Sequence, residues 1–522
     1  MKFSCSALFF ILNVQGSLKK SYYVQALIYS TAKGPRVRHI ISTRRRASED
    51  VKKLQNTEET ILDGDRLRDS VNVLVKAGVV GATTGACVGA LKQSISGTES
   101  FAYNELLLAL FSGLGDASNT GIGSTLVYAS IPAIGGLVVG FLGILPDGKY
   151  SPFVRATQAV ATLGTGNSLG PEGPCVELGV SVAQTFQEKK NEEKILVAAG
   201  SAAAVAAGFA APVAGIFFAL EATLRDEKQE QQLALLPRTA LAGAALAAAI
   251  SAVVARDIMQ CRLEIENSVP SSGPAGLAEL PLYLGLGALA GFEAIALARA
   301  TNFFEKQWAK SLVPIAFRPA IAGAVCGIVG VACPQVLFNG YATLNTILAD
   351  NQPPATLTLL LYAAVKIATT ASSRSSGLVG GLFAPSLFLG GCGGCAYGQF
   401  VAWLFGNDAL NLLHVAQPPA YASVGAASVL AAVVKAPLTA SMLLFELTRD
   451  YDVILPLVAS TGVATIVLEL FQDPILPRSR ALSNDVLPID SLDDTFVADF
   501  VPTPPHNDHV SGADGSVDDD FD

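Results

Sequence analysis

The 522-residue chain is poor in charge: Asp, Glu, Lys and Arg make up 15% of it, against about a quarter in soluble domains. Aromatic residues reach only 7%, while 51% of residues are hydrophobic and the mean hydropathy is +0.45. That balance excludes an ordinary water-soluble domain and points to an integral membrane protein. Long uninterrupted apolar runs are scarce too. Forty-eight glycines and 27 prolines break the segments, several of which fall short of the roughly 20 residues that span a bilayer. Broken helices persist at that depth only where their ends are buried in protein or line a cavity. Histidine numbers four. His39, His506 and His509 fall in the tails, only His414 lies near an apolar segment, and no Asp pair sits inside one. Ser–His, paired-Asp and metal-cluster hydrolysis therefore lack their residues; the chain does not read as an enzyme, and no cofactor is expected.

Each terminus lacks one sign of charge. Residues 1–46 hold nine Lys/Arg and no acid, and residues 481–522 hold eleven Asp and no base. The net charge of −9 thus belongs largely to the tail, and no nucleic-acid partner is expected. The acid-free, Arg- and Ser-containing start resembles an organelle transit peptide, with a secretory signal and a positive-inside arm as the other readings. The eight cysteines show no disulfide pattern. The one CxxC, Cys392–Cys395, lies in a Gly-rich apolar run without polar companions, which favours close helix packing over a redox pair or metal clip.

What the chain does have is an internal repeat. Pro132–Gly143 and Pro319–Gly330 share PAIxGxxxGxxG, and Ala198–Thr223 aligns without gaps to Ser423–Thr448. The second pair keeps Gly200/Gly425, Ala211-Pro212/Ala436-Pro437 and Glu221/Glu446 in register. Between these landmarks each half carries one Gly-rich turn that opens a helix, Gly170-PEG-Pro174 in the first and Gly377-LVGGLFA-Pro385 in the second. Two broken-helix starts at corresponding places are the best sequence pointer to a transport site near the midplane. In inverted halves both positive helix ends converge on one anion. Glu172 stands inside the first turn, and no Lys or Arg lies between Arg155 and Lys189. A carboxylate at a helix start occupies the place a mobile anion would take, so it reads as a gate.

At these residues the chain resembles the CLC family of chloride channels and chloride/proton antiporters. GPEGP and GGLFAP carry the resemblance, with support from AAPVAGIFFALE and LLFELTRDYDVILPL, over roughly Val73 to Leu476. The spelling GTGNSLGPEGPCVELG is similar to the plastid and cyanobacterial branch. The resemblance implies an all-α integral membrane fold of two inverted-topology repeats, with broken helices meeting at a midplane anion site. It implies a homodimer in the lipid bilayer, one pore per subunit, with chloride as the transported ion. Glu172 becomes the gating residue. Leu382 and Phe383 offer backbone N–H groups to the central anion, while Gly170, Gly173, Pro174, Gly381 and Ala384 frame the path. The expected layout is a basic segment at 1–70, a first membrane repeat at 71–260, a second at 276–476, and an acidic disordered tail at 477–522 without nucleotide-sensing CBS domains. The expected location is a chloroplast membrane, thylakoid or envelope, with Golgi or another endomembrane as the alternative.

Three departures bear on mechanism. Ala222 takes the position where antiporters of the family keep a proton-passing glutamate. A tyrosine contributed by the last membrane helix is absent near Leu476. The loop whose serine touches the central anion is not recognisable, and only the short 144–153 connector stands in its place. The expectation is therefore a passive chloride channel gated by Glu172. The alternatives are an antiporter with a displaced proton path, for which Glu177, Glu221 and Glu446 are candidates, and a truncated non-conducting isoform; each of those three acids reads at least as well as a helix-end carboxylate with a structural hydrogen bond. Lys366 is expected either to raise the anion potential near the pore or to snorkel to an interface; Arg374 poses the same choice.

Overall fold

A computed structural model of the chain describes residues 64–106, 121–145, 152–188, 192–223, 238–259, 279–349, 353–405 and 415–471. The transit-like start, the acidic tail, His414, Leu476 and most of the 144–153 connector lie outside the described residues. The chain divides into two compact units, Met1–Ser70 and Val71–Asp522, and both Gly-rich turns belong to the second. Among the described residues the regular structure is helical, and the sole extended pairing is one isolated bridge. Six of the helical segments are long and apolar enough to cross a membrane.

The first half holds α1 (Gly64–Ser100), α2 (Gly121–Leu142), α3 (Pro152–Gly164), α4 (Glu172–Thr185), α5 (Glu193–Phe209), α6 (Pro212–Phe218) and α7 (Arg238–Val253). The second holds α8 (Leu280–Lys310), α9 (Arg318–Ala332), α10 (Tyr341–Ala349), α11 (Thr356–Ser375), α12 (Phe383–Phe405), α13 (Pro418–Val434), α14 (Pro437–Thr448) and α15 (Ile454–Phe471). Pro212 and Pro437 sit in the first turns of α6 and α14, where the missing N–H costs nothing. Large apolar side chains such as Leu357, Trp403 and Leu470 remain exposed, as a lipid-facing surface requires.

The repeat seen in the sequence reappears as reciprocal contacts. A Cβ at Gly136 of α2 would lie 2.2 Å from the Pro319 carbonyl oxygen, and one at Gly323 of α9 would lie 2.2 Å from that of Pro132. Glycine is four residues beyond proline in both helices, so each repeat presses its glycine onto the other's proline. Equivalent small-residue seams join α4 to α5 at Gly179/Gly200, and α12 to α13 at Gly390/Gly425. The apolar membrane interior gives helices little reason to associate beyond close packing, which small residues permit. Even the unusual backbone is duplicated: Ala210 ends α5 and Lys435 ends α13, both left-handed, at φ 54 and 56.

These seams leave no room for larger residues. Gly136→Val drives a side chain into a backbone carbonyl that cannot yield, at an expected cost of about 3 kcal/mol. Its thermal midpoint in detergent should fall well below that of Gly97→Ala, whose Cβ meets nothing within 4 Å. Equal midpoints would show that the α2–α9 seam tolerates separation.

Candidate functional site

The two Gly-rich turns meet. Gly170 N donates to Gly381 O at 2.9 Å and Gly381 N donates to Gly170 O at 2.7 Å, forming the isolated antiparallel bridge. The approach is closer than side chains allow, since a Cβ on Gly381 would lie 2.7 Å from the Gly173 nitrogen. Beyond the bridge, α4 opens with Glu172-Gly173-Pro174 and α12 with Phe383-Ala384-Pro385. Cys175 N donates to Pro171 O and Ser386 N to Leu382 O as the first intrahelical bonds. Each start therefore aims the N–H groups of its first two residues outward before a proline that has none. The paired turns thus bring Gly170, Gly173, Pro174, Gly381, Leu382, Phe383 and Ala384 to one place in the fold.

Neighbouring elements fix the turns from both sides. The Asn167 side chain donates to the carbonyls of Pro132 and Thr162, and Ser168 and Thr370 share a hydroxyl bond of 3.0 Å. Val379 N donates to Thr162 Oγ1 on α3. Phe383 is buried and its ring lies 5.8 Å from that of Phe209 and 6.2 Å from that of Phe218.

Glu172 is only 4% exposed. Its carboxylate folds back over Gly170: a Cβ there would meet Oε2 at 2.2 Å, with the Ala384 nitrogen 3.3 Å from the same point. The acid thus stands beside the opposite helix start, where backbone N–H groups and the dipole favour negative charge. On its other oxygen it accepts a hydrogen bond of 2.6 Å from Tyr341 Oη. Tyr341, 3% exposed, was not visible to the sequence reading as a site residue. No motif surrounds it, and 169 residues separate it from Glu172.

Two cavities adjoin the paired turns. One of about 510 Å³ is lined by Leu169, Pro171, Phe338, Asn339 and Gly340, with Lys92 and Glu99 at its wall. The other, about 30 Å³ or room for a single small ion or water, is lined by Gly173, Gly381 and Leu382 together with Arg155, Arg374 and Glu177. Arg155 Nε lies 2.8 Å from Glu177 Oε1 and 2.9 Å from Oε2. The nearest arginine in sequence therefore serves Glu177, while Glu172 turns to a phenol.

The remaining candidates fall into place by their partners. Glu221 accepts N–H bonds from Leu438 and Thr439 at the start of α14, and Glu446 accepts them from Val213 and Ala214 at the start of α6. Each repeat's glutamate caps the other repeat's helix. Ala222 lies in the π-helical turn Ala219–Thr223 beside that cap. Lys366 does not snorkel: it is fully buried, and its Nζ donates to Val336 O at 2.9 Å and Phe338 O at 2.8 Å. Cys392 and Cys395 are buried in α12, where the intervening Gly394 packs on the Tyr421 carbonyl.

Comparison with known proteins agrees with this geometry. The family model described as "Voltage gated chloride channel" matches residues 143–469. "Chloride channel protein CLC-e" of Arabidopsis thaliana is 38% identical over 448 residues, covering 79% of this chain and 62% of that protein. "Chloride channel protein CLC-f" of the same plant is 38% identical over 364 residues, covering 64% and 46%. The chain thus spans less than two thirds of the length of either relative. Among solved structures, that of a slow cyanobacterial Cl−/H+ antiporter superposes with a TM-score of 0.64 over 76% of this chain and 94% of that one, at 23% identity. At that identity the likeness speaks to the fold, which is two repeats of broken helices.

Proposed function

Because the chain belongs to the voltage-gated chloride channel (CLC) family, we propose that it moves chloride across a membrane as a passive channel with Glu172 as its gate. One observation carries the reading: a buried carboxylate folds back over Gly170, beside the place where two helix starts meet. A small anion drawn to the same helix ends needs the same space, so carboxylate and ion exclude one another. Gly170, Gly173, Pro174, Gly381, Leu382, Phe383 and Ala384 form the frame, with binding through backbone N–H groups and dipoles. Such a site holds an anion weakly enough to release it, as conduction requires.

Passive flow is supported by the absence of a titratable group at Ala222, and by the engagement of Glu221 and Glu446 as helix caps. A second reading, chloride/proton exchange, rests on Glu177, which lines the small cavity beside Gly173. Reconstituted in vesicles with a chloride gradient, the channel is expected to pass chloride without moving protons uphill. Proton uptake driven by chloride efflux would overturn passive conduction and favour exchange through Glu177.

The protein works as a homodimer with one pore per subunit. In support, α6, α7, α14 and α15 expose Val213, Leu241, Leu438 and Ile466, an apolar face suited to a second copy. The acid-free, nine-cation N-terminus supports a plastid membrane as its location.

A further inference from the structure

The gate as proposed has a carboxylate that moves; the surroundings of Glu172 contain what holds it still. We propose that Tyr341 is the latch of this gate and Lys366 the post that positions the latch. The inference rests on Glu172 being the gate and adds two side chains that the gate reading does not require.

The phenol O–H of Tyr341 donates to Glu172 Oε1 at 2.6 Å, with both side chains buried. A hydrogen bond to an ionised carboxylate is short and about twice as strong as one between neutral groups. It holds the acid against Gly170 and the α12 start, in the position that excludes an anion. When the carboxylate takes up a proton the bond becomes a neutral one, and the latch weakens as the acid loses its attraction to the helix ends. Both changes act in the same direction.

The latch needs a rigid mount. Tyr341 is the first residue of α10, directly after a turn in which Phe338 has φ +56 and Gly340 φ +89. A phenylalanine rarely adopts a left-handed backbone unless its surroundings over-determine it. Lys366 supplies that determination by donating to the carbonyls on both sides of Leu337, those of Val336 and Phe338. Its ammonium lies 5.2 Å from the Phe388 ring centroid. The turn is fastened further by Phe338 N donating to Gly166 O, just upstream of the Glu172 turn, and by Asn339 Oδ1 accepting from Tyr341 N. A fully buried lysine is costly unless its charge is satisfied. Here that charge is directed at the backbone that carries the gate's tyrosine, a use that lipid anchoring does not explain.

The test is anion efflux from vesicles containing the full chain, in a set of single and double variants. Tyr341→Phe keeps the ring and removes the donor; efflux is expected to rise about tenfold, in line with the loss of one charge-assisted bond. Tyr341→Phe combined with Glu172→Gln should pass no more than Glu172→Gln alone, because latch and gate are one device. Lys366→Met should raise efflux in the wild-type background and add nothing in the Tyr341→Phe background. If Lys366→Met does not yield monodisperse protein, Gly340→Ala loosens the same turn, being strained at φ +89 and crowding Phe388, with the same expected pattern. Wild-type efflux in Tyr341→Phe beside raised efflux in Glu172→Gln overturns the latch and leaves the gate standing. Multiplying effects of Tyr341→Phe and Glu172→Gln also overturn the latch. Additive effects of the turn variants on Tyr341→Phe overturn the mounting role, and unchanged efflux in Glu172→Gln removes the gate itself.

Discussion

Glu172→Gln is expected to raise chloride flux about tenfold or more and to abolish its activation by acid. The substitution keeps shape and volume, so the packing between Gly170 and Ala384 survives. What it removes is charge at a place built to attract charge. The carboxylate belongs to the α4 start and stands beside that of α12, and a helix N-terminus favours an anion by about 0.3–2 kcal/mol depending on burial. The Tyr341 bond falls from charge-assisted to neutral, a further loss of roughly 1 kcal/mol. Together these shift occupancy by more than a factor of ten, since about 1.4 kcal/mol corresponds to tenfold. An amide has no proton to gain, so flux should no longer respond to acid. Vesicle efflux across a range of pH measures both effects. Flux and pH response indistinguishable from wild type would remove Glu172 from the gate.

Glu446→Ala and Glu221→Ala are each expected to cost about 3 kcal/mol of stability, whatever they do to transport. Glu446 holds Val213 N at 3.0 Å and Ala214 N at 2.7 Å; Glu221 holds Leu438 N at 2.9 Å, Thr439 N at 2.7 Å and the Thr439 hydroxyl at 2.6 Å. The residues that precede these helices, Ala211 and Ala436, carry no side-chain oxygen and provide no side-chain cap. Removing the glutamate strands two N–H groups at a time, and bonds to a charged acceptor are worth roughly 1.5–3 kcal/mol each. The Gln variants keep one acceptor oxygen and should recover part of the loss. Thermal midpoints in detergent test the ranking wild type, Gln, Ala. A midpoint unmoved by Ala, with altered proton movement, would instead return these acids to the proton path.

How much of this was legible in the sequence depends on the distance over which each feature acts. The PAIxGxxxGxxG pair, the Ala-Pro steps and the two Gly-rich turns carry their own geometry in consecutive residues, so both the repeat and its meeting point could be read. Glu221 and Glu446 could be recognised as helix-end carboxylates, but not the exchange of partners between repeats, because the receiving helices lie 217 and 233 residues away in sequence. Tyr341 was invisible for the same reason. A tyrosine after Asn339-Gly340 is an ordinary helix start until a buried acid arrives beside it. Lys366 was left between two readings because an apolar helix flanking a lysine is compatible with both an interface and a buried place, and only the carbonyls of Val336 and Phe338 decide between them.

The repeat is also informative where it fails. Gly170 pairs with Gly381, Gly173 corresponds to Ala384 and Pro174 to Pro385, yet Glu172 corresponds to Phe383. Both sides open a helix with the same Gly-x-x-small-Pro pattern, but one side presents an ionisable carboxyl and the other an aromatic ring beside Phe209 and Phe218. The proposed pore, symmetric in its scaffold, is therefore chemically polarised along its length. If Glu172 gates it, opening responds to the solution on one face only, and the current it passes should rectify.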